Sequence, residues 1–221
     1  PGLTNMLAAA LANAFDRPTR IDIGLLFGLG DHHGSAGLDW MAAQIFDPAR
    51  PRDRRHIDFG RPWGPRSAHV VGFSDQHALA RSLPSTLVIT RVAFDSRLAT
   101  AALFGAANWF GGRAGLRRLV RRSFSAIRFG SRAVNVTVEA TGRRGGTPHR
   151  ATVRFRAEEE SRTTGRLSSL MVRSFLELTP RAGVRHSHEL FDKTHFLAAV
   201  QAEAIGKLDW LEPQPIPVPG G

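Results

Sequence analysis

The chain has 221 residues, 42% of them hydrophobic, with no cysteine and a formal net charge of +11. This length is sufficient for a buried core in one large or two small domains. The absence of cysteine excludes disulfides, zinc-thiolate sites and a cysteine nucleophile, and it fits a reducing compartment. Because no stretch approaches the ~18 consecutive apolar residues of a membrane span, we expect a soluble, cytoplasmic protein.

The positive charge comes almost entirely from arginine, since Lys193 and Lys207 are the two lysines. One basic cluster stands out, on a predicted helix whose apolar residues fall on the opposite side. Its members are Arg113, Arg117, Arg118, Arg121, Arg122 and Arg128. This cluster fits either a binding module for nucleic acid or an anionic membrane, or a solvated helix face. The solvated face is favoured, because no aromatic stacking residues or recognition motif accompany the charge.

Hydrophobic spacing predicts the elements of the first quarter of the chain. A helix is expected over residues 3–15, with Thr4 or Asn5 as its N-cap, and an apolar strand over residues 21–27. A loop rich in glycine and histidine follows at residues 28–34 and leads into a helix over residues 38–46. Residues 47–55 hold too much proline and arginine for a regular element and are predicted as a surface loop.

Strands and helices then follow in irregular order. Strands are predicted at 56–59, 67–73 and 86–94, and helices at 76–83, 96–109 and 115–129. Alternating valines and polar residues at 134–138, and a similar run at 152–156, predict an antiparallel hairpin with one solvated face. Two further helices are expected around 167–178 and 196–204, before a Pro-rich tail at 206–221. The hairpin among helices favours an α+β fold with a mixed, mainly antiparallel sheet and helices on one face.

Three glycines, Gly28, Gly30 and Gly34, follow a strand and precede a helix, as in a phosphate-binding loop. The G-x-G-x-x-x-G spacing and the bulky His32-His33 pair argue against a dinucleotide site, so a structural loop is the favoured interpretation.

The histidines do not predict a metal site. Asp31, His32 and His33 are neighbours on one loop, and adjacent side chains do not fix a ligand geometry. The set formed by His186, His188, Glu189 and His195 has no zinc-motif spacing, and Glu189 fits the first turn of a helix. No catalytic residue is assigned from these patterns.

Several short motifs, in the same order along the chain, resemble the saccharopine dehydrogenase-like NAD(P)-dependent oxidoreductases. Pro1-Gly2-Leu3-Thr4-Asn5 is similar to the start of the helix that follows the dinucleotide-binding domain in that family. The others are Ile23-Gly24-Leu25-Leu26-Phe27-Gly28 to His33-Gly34, Asp58-Phe59-Gly60, the strand from Arg66 to Phe73, Arg91-Val92-Ala93-Phe94-Asp95-Ser96 and His188-Glu189-Leu190. The resemblance extends from residue 1 to about residue 205.

The resemblance implies a division into three parts. Residues 1–16 form a helix that continues from a missing dinucleotide-binding domain, residues 17–205 form an α+β substrate and dimerisation domain, and residues 206–221 form the tail. The parent protein uses NAD or NADP for hydride transfer to or from a small-molecule substrate. Because no nucleotide fingerprint is present, we expect this chain alone to bind no cofactor and to be inactive. Expected partners are the missing domain, the substrate and a second subunit in a homodimer.

The resemblance also implies which residues face the substrate cleft. Thr4 and Asn5 at the helix start, His33 on the glycine loop and Arg66 on a strand are the predicted substrate contacts, and Gly2 is placed at the nicotinamide end of the cofactor. An arginine such as Arg66 holds an anionic group with two hydrogen bonds, which a lysine does less well.

Overall fold

The computed structural model describes residues 2–31, 34–110, 129–179 and 182–216. It confirms the α+β class, with a single mixed and mostly antiparallel sheet of order β2-β3-β4-β1-β5-β6-β7. The strands are β1 (Arg17–Phe27), β2 (Arg54–Asp58), β3 (Pro65–Val70), β4 (Leu87–Phe94), β5 (Ala133–Arg144), β6 (Thr147–Glu158) and β7 (Lys207–Pro215). The helices are α1 (Leu3–Ala12), α2 (Ser35–Ile45), α3 (Ser74–Ser82), α4 (Arg97–Phe110), α5 (Glu160–Leu176), α6 (Ser187–Leu190) and α7 (Lys193–Ala202).

Strand β1 lies in the middle of the sheet, where it pairs in parallel with β4 and antiparallel with β5. Residues 21–26 are all buried, which explains why this strand is almost continuously apolar. Its side chains alternate between two faces. The first face carries Ile21, Ile23 and Leu25, and the second face carries Asp22 and Leu26.

The helices pack on the first face of the sheet. Helix α1 lies over β1 and β5, where Met6 and Leu7 are completely buried, and it also contacts α3 and α7. Helices α3 and α4 cover β4, and α5 covers β6. The main hydrophobic core is therefore a layer between this face and the helices. None of the helices that the structure describes is long and apolar enough to cross a membrane.

The second face of the sheet is covered by the sheet itself, which curls so that β2 lies across β1, β5 and β6. Ile57 of β2 packs over Gly24 of β1, where a Cβ atom would lie 2.8 Å from the Ile57 side chain. Arg154 of β6 donates to the Asp58 carboxylate at 2.8 Å, and Thr137 of β5 donates to the Asp58 carbonyl at 3.2 Å. The lack of a side chain at Gly24 thus permits the curl.

A buried cluster of ion pairs lies under this curl, centred on Asp22. Arg91, 1% exposed, and Arg55 both donate to the Asp22 carboxylate, and Arg20 Nε donates to it at 2.6 Å. Two further carboxylates complete the cluster, Asp53 at 2.5 Å from Arg91 and Glu139 at 3.1 Å from Arg55. Burial acts to raise the pKa of Asp22, but the arginines outweigh it, and the pKa lies below its ordinary value.

The main differences from the predicted elements lie at the two ends of the chain. Helix α1 begins at Leu3 with Gly2 at its N-cap, so the prediction of Thr4 or Asn5 as the cap is wrong. Residues 207–215, predicted as part of a tail, form edge strand β7 along β6. An edge strand tolerates Pro213 and Pro215 because one side of its backbone has no partner. The predicted helix at 115–129 falls almost entirely outside the described residues.

Candidate functional site

An apolar cavity among the described residues lies on the first face, at the carboxyl ends of parallel strands β1 and β4. Its volume is about 250 Å³. Phe27 and Phe94, paired in register at the two strand ends, contribute to its lining. Its other lining residues are Gly34, Gly37, Leu38, Trp40, Met41, Ala42, Ile45, Phe46, Phe73, Leu103, Glu160, Ser161 and Thr164. We call this cavity the β1–β4 pocket.

The pocket exists because helix α2 is anchored at one end only. Ile45 and the following Phe46 are buried, while the first part of α2 is exposed or half-buried. Trp40 keeps 42% of its surface exposed and meets Phe73 edge to face, with ring centroids 4.8 Å apart. An apolar helix face held away from the sheet in this way leaves space for an apolar ligand.

The glycine loop before α2 supports the pocket and uses its backbone amides internally. Gly28 N donates to Ala133 O and Gly30 N to Ser131 O, both at 2.8 Å, and Leu29 N donates to the Asp95 carboxylate at 3.2 Å. These three amides are therefore not available to a phosphate. A Cβ atom at Gly28 would clash with the carbonyl of Ser131, so glycine is needed here for the close approach of two backbones.

Gly28→Ala is expected to lower the free energy of unfolding by about 1–3 kcal/mol, because the added methyl group pushes the loop away from Ser131. The measurement is urea unfolding followed by circular dichroism. Gly105→Ala in α4 is the matched control: beyond its chain neighbours and its own helix backbone, no atom lies within 4 Å of the added Cβ, and alanine there should stabilise by about 0.5–1 kcal/mol. A Gly28→Ala protein as stable as the wild type would contradict the structural role of the loop.

The start of α1 is joined to the pocket wall through α3. Thr4 Oγ1 donates to Asp75 Oδ1 at 2.8 Å, and Asp75 follows Phe73, a lining residue, by two positions. Burial raises the pKa of Asp75, although the Thr4 hydrogen bond acts in the opposite direction. Thr4 thus contacts the helix that directly follows Phe73, a lining residue. Its direct contact with a substrate stays a prediction.

The remaining predicted contacts are not brought together. Asn5 is buried beside Thr4, and its Oδ1 has no hydrogen-bond partner among the described residues. A Cβ at Gly2 would meet Ser187 and Met171, so side chains rather than open space face this residue. Arg66 pairs with Ile57 and lies on the second face, across the sheet from α1. His33 and the Arg113 to Arg128 cluster lie outside the described residues.

Two clusters away from the pocket hold buried histidines. The first joins α3 to α6, where Ser82 Oγ donates to Glu189 at 2.7 Å and lies 2.8 Å from His188 Nε2. Ser82 has one hydroxyl proton, which it donates to Glu189. The hydrogen bond between Ser82 and His188 is therefore donated by His188 Nε2. Burial lowers the pKa of His188, against the charge of Glu189. The cluster therefore ties two helices together and does not activate a nucleophile, and Glu189 lies in a first helical turn as predicted.

The second cluster surrounds His69 on β3. Its ring stacks on Phe104 with centroids 4.1 Å apart, and the buried Arg50 guanidinium lies 5.2 Å from the same Phe104 ring. Burial, with the positive charges of Arg50 and Arg54, lowers the pKa of His69 to about 4. His69 is therefore neutral at pH 7. Among the residues described, no group of three or more histidines and carboxylates is arranged to hold a metal ion.

Comparison with models of known protein families finds no match, and comparison with curated proteins finds no matching relative.

Proposed function

We propose that this chain is the substrate-side domain of a saccharopine dehydrogenase-like NAD(P)-dependent oxidoreductase, and that the β1–β4 pocket receives its substrate. The observation that supports this most is the position of Gly34 in the pocket lining. Gly34 directly follows His33, the residue of the glycine loop predicted to contact substrate. Ligands in α/β sheets commonly bind at the carboxyl ends of parallel strands, which is where this pocket lies.

The cofactor implied by the resemblance does not fit the described residues. Three amides of the glycine loop donate to Asp95 and to residues 131 and 133, and Gly2 faces Met171 and Ser187. Within the described part of the chain, neither place offers a cradle for a pyrophosphate or a nicotinamide. The proposal therefore assigns cofactor binding to a separate nucleotide-binding domain, and this chain supplies the substrate pocket.

Nucleotide binding by the longer gene product tests this proposal. The codons upstream of Pro1 are sequenced, and the longer product and this chain are each titrated with NADH and NADPH by nicotinamide fluorescence. We expect a glycine-rich nucleotide fingerprint upstream, saturable binding by the longer protein and none by this chain. A stop codon or an unrelated linker upstream, or a longer protein that binds neither nucleotide, would overturn the proposal.

A further inference from the structure

We propose that the β1–β4 pocket binds a neutral aliphatic chain of about ten carbons, such as the acyl part of an ester, thioester or amide. The claim that this ligand is the substrate of a reductase rests on the function proposed above. The claim that the pocket binds such a ligand depends only on the walls of the pocket.

The walls favour hydrocarbon over a polar or charged ligand. Four phenylalanines line the pocket: Phe27 and Phe94 at the two strand ends, Phe46 directly after α2 and Phe73 directly before α3. Leu38, Met41, Ile45 and Leu103 complete the apolar surface, and Met41 adds a flexible side chain that adapts to ligand shape. Burying hydrocarbon against such walls contributes about a fourfold gain in affinity for each methylene group.

The volume sets the length of the chain. An apolar cavity of about 150 Å³ binds benzene, which has six carbons. In proportion, the 250 Å³ of this pocket accommodates about ten carbons. A pocket of this size with one open side suits the end of a longer molecule rather than a compact metabolite.

The polar residues at the pocket argue against a free carboxylate. They are Glu160, Ser161 and Thr164, all from the first turns of α5, and no lining residue among those described is basic. A carboxylate at this edge would gain no cation from the described lining residues and would lie near the Glu160 side chain. The hydroxyl of Thr164 suits instead the neutral oxygen of an ester, thioester or amide.

Displacement of a neutral fluorescent probe measures this binding. The chain is loaded with 1-naphthylamine at pH 7 and titrated with 1-hexanol, 1-octanol, 1-decanol and 1-dodecanol, and separately with decanoate and L-glutamate. We expect affinity to rise about fourfold per methylene up to about decanol and then to level off. Decanoate should bind at least about tenfold more weakly than decanol, and L-glutamate should not displace the probe.

Two neighbouring alanines on α2 provide a matched pair of variants. Ala42 lines the pocket, whereas Ala43 is exposed and does not line it. Ala42→Phe should reduce decanol affinity at least about tenfold by filling the space, and Ala43→Phe should change it less than about twofold. If Ala42→Phe does not fold, Leu38→Gln at the half-buried edge of the pocket replaces it. We expect this variant to lose less decanol affinity than Ala42→Phe.

Several outcomes would overturn the inference. These are equal affinity for all four alcohols, decanoate binding as tightly as decanol, displacement by L-glutamate, or equal effects of the two alanine variants. All of these titrations are done without nucleotide. A failure of the longer protein to bind NADH or NADPH therefore rejects the reductase function alone, and a failure of the alcohols to bind rejects the aliphatic ligand alone.

Discussion

Asp22→Asn is expected to lower the free energy of unfolding by about 3–5 kcal/mol, the largest loss we anticipate from a single substitution in this chain. The variant keeps the shape of the side chain and removes its negative charge. Arg91 is 1% exposed, and its Nη1 contacts the Asp22 carboxylate. In the variant the positive charge of Arg91 stays buried, but the negative charge beside its Nη1 is removed. Urea unfolding at pH 7, followed by circular dichroism, measures the loss.

Asp53→Asn is the matched control, because Asp53 pairs with the same arginine from a position that is 59% exposed. Solvent screens this pair, so we expect a loss of about 1 kcal/mol or less. Equal losses in the two variants would contradict this prediction, because they would show that burial of the Asp22 carboxylate does not determine its contribution to the free energy of unfolding.

The second large effect is a dependence of stability on pH that comes from His69. Its pKa is about 4 in the folded protein and near 6.5 when the chain is unfolded, so the unfolded state binds the proton first. The contribution of His69 to the free energy of unfolding is fully present above about pH 6.5 and is lost as the pH falls towards 4. Between pH 7 and pH 4 we expect a loss of about 3 kcal/mol from this group.

Urea unfolding at a series of pH values measures this loss in the wild type and in His69→Gln. The variant should show a flatter profile between pH 6.5 and 4, while His77→Gln, at an exposed position, should follow the wild type. The lowered pKa of Asp22 adds a separate loss that begins below about pH 4. A His69→Gln profile as steep as that of the wild type would contradict the assignment.

Local pattern was enough to predict most helices and strands, because each depends on spacing within a few residues. The hairpin of β5 and β6 is the clearest case, since its alternating valines and its glycine turn are adjacent in sequence. The parallel pairing of β1 with β4 was not predicted, because residues about 65 positions apart carry no mark of their register. Strand β7 was missed because its prolines are typical of a tail, and only an edge position permits them.

The pocket, too, depends on contacts between distant residues and is not predictable from local sequence pattern. Leu38, Met41 and Ile45 fit the helical spacing of a core-packed helix, and the sequence does not reveal that only the end of α2 reaches the core. One feature of the sequence indicates the Asp22 cluster, namely a carboxylate inside an otherwise apolar and buried strand. Such a residue requires a cationic partner, but the choice of Arg20, Arg55 and Arg91 depends on the curl of the sheet.

The central place of β1 in the sheet has a consequence for synthesis on the ribosome. Both of its neighbours come later in the chain, β4 at Leu87–Phe94 and β5 at Ala133–Arg144. At translation rates of about 5–20 residues per second, β1 waits on the order of 10 s for β5 to be made. Until β4 is made, both edges of this apolar strand are unpaired, and until β5 is made one edge stays unpaired. An unpaired apolar edge favours aggregation and binding by chaperones.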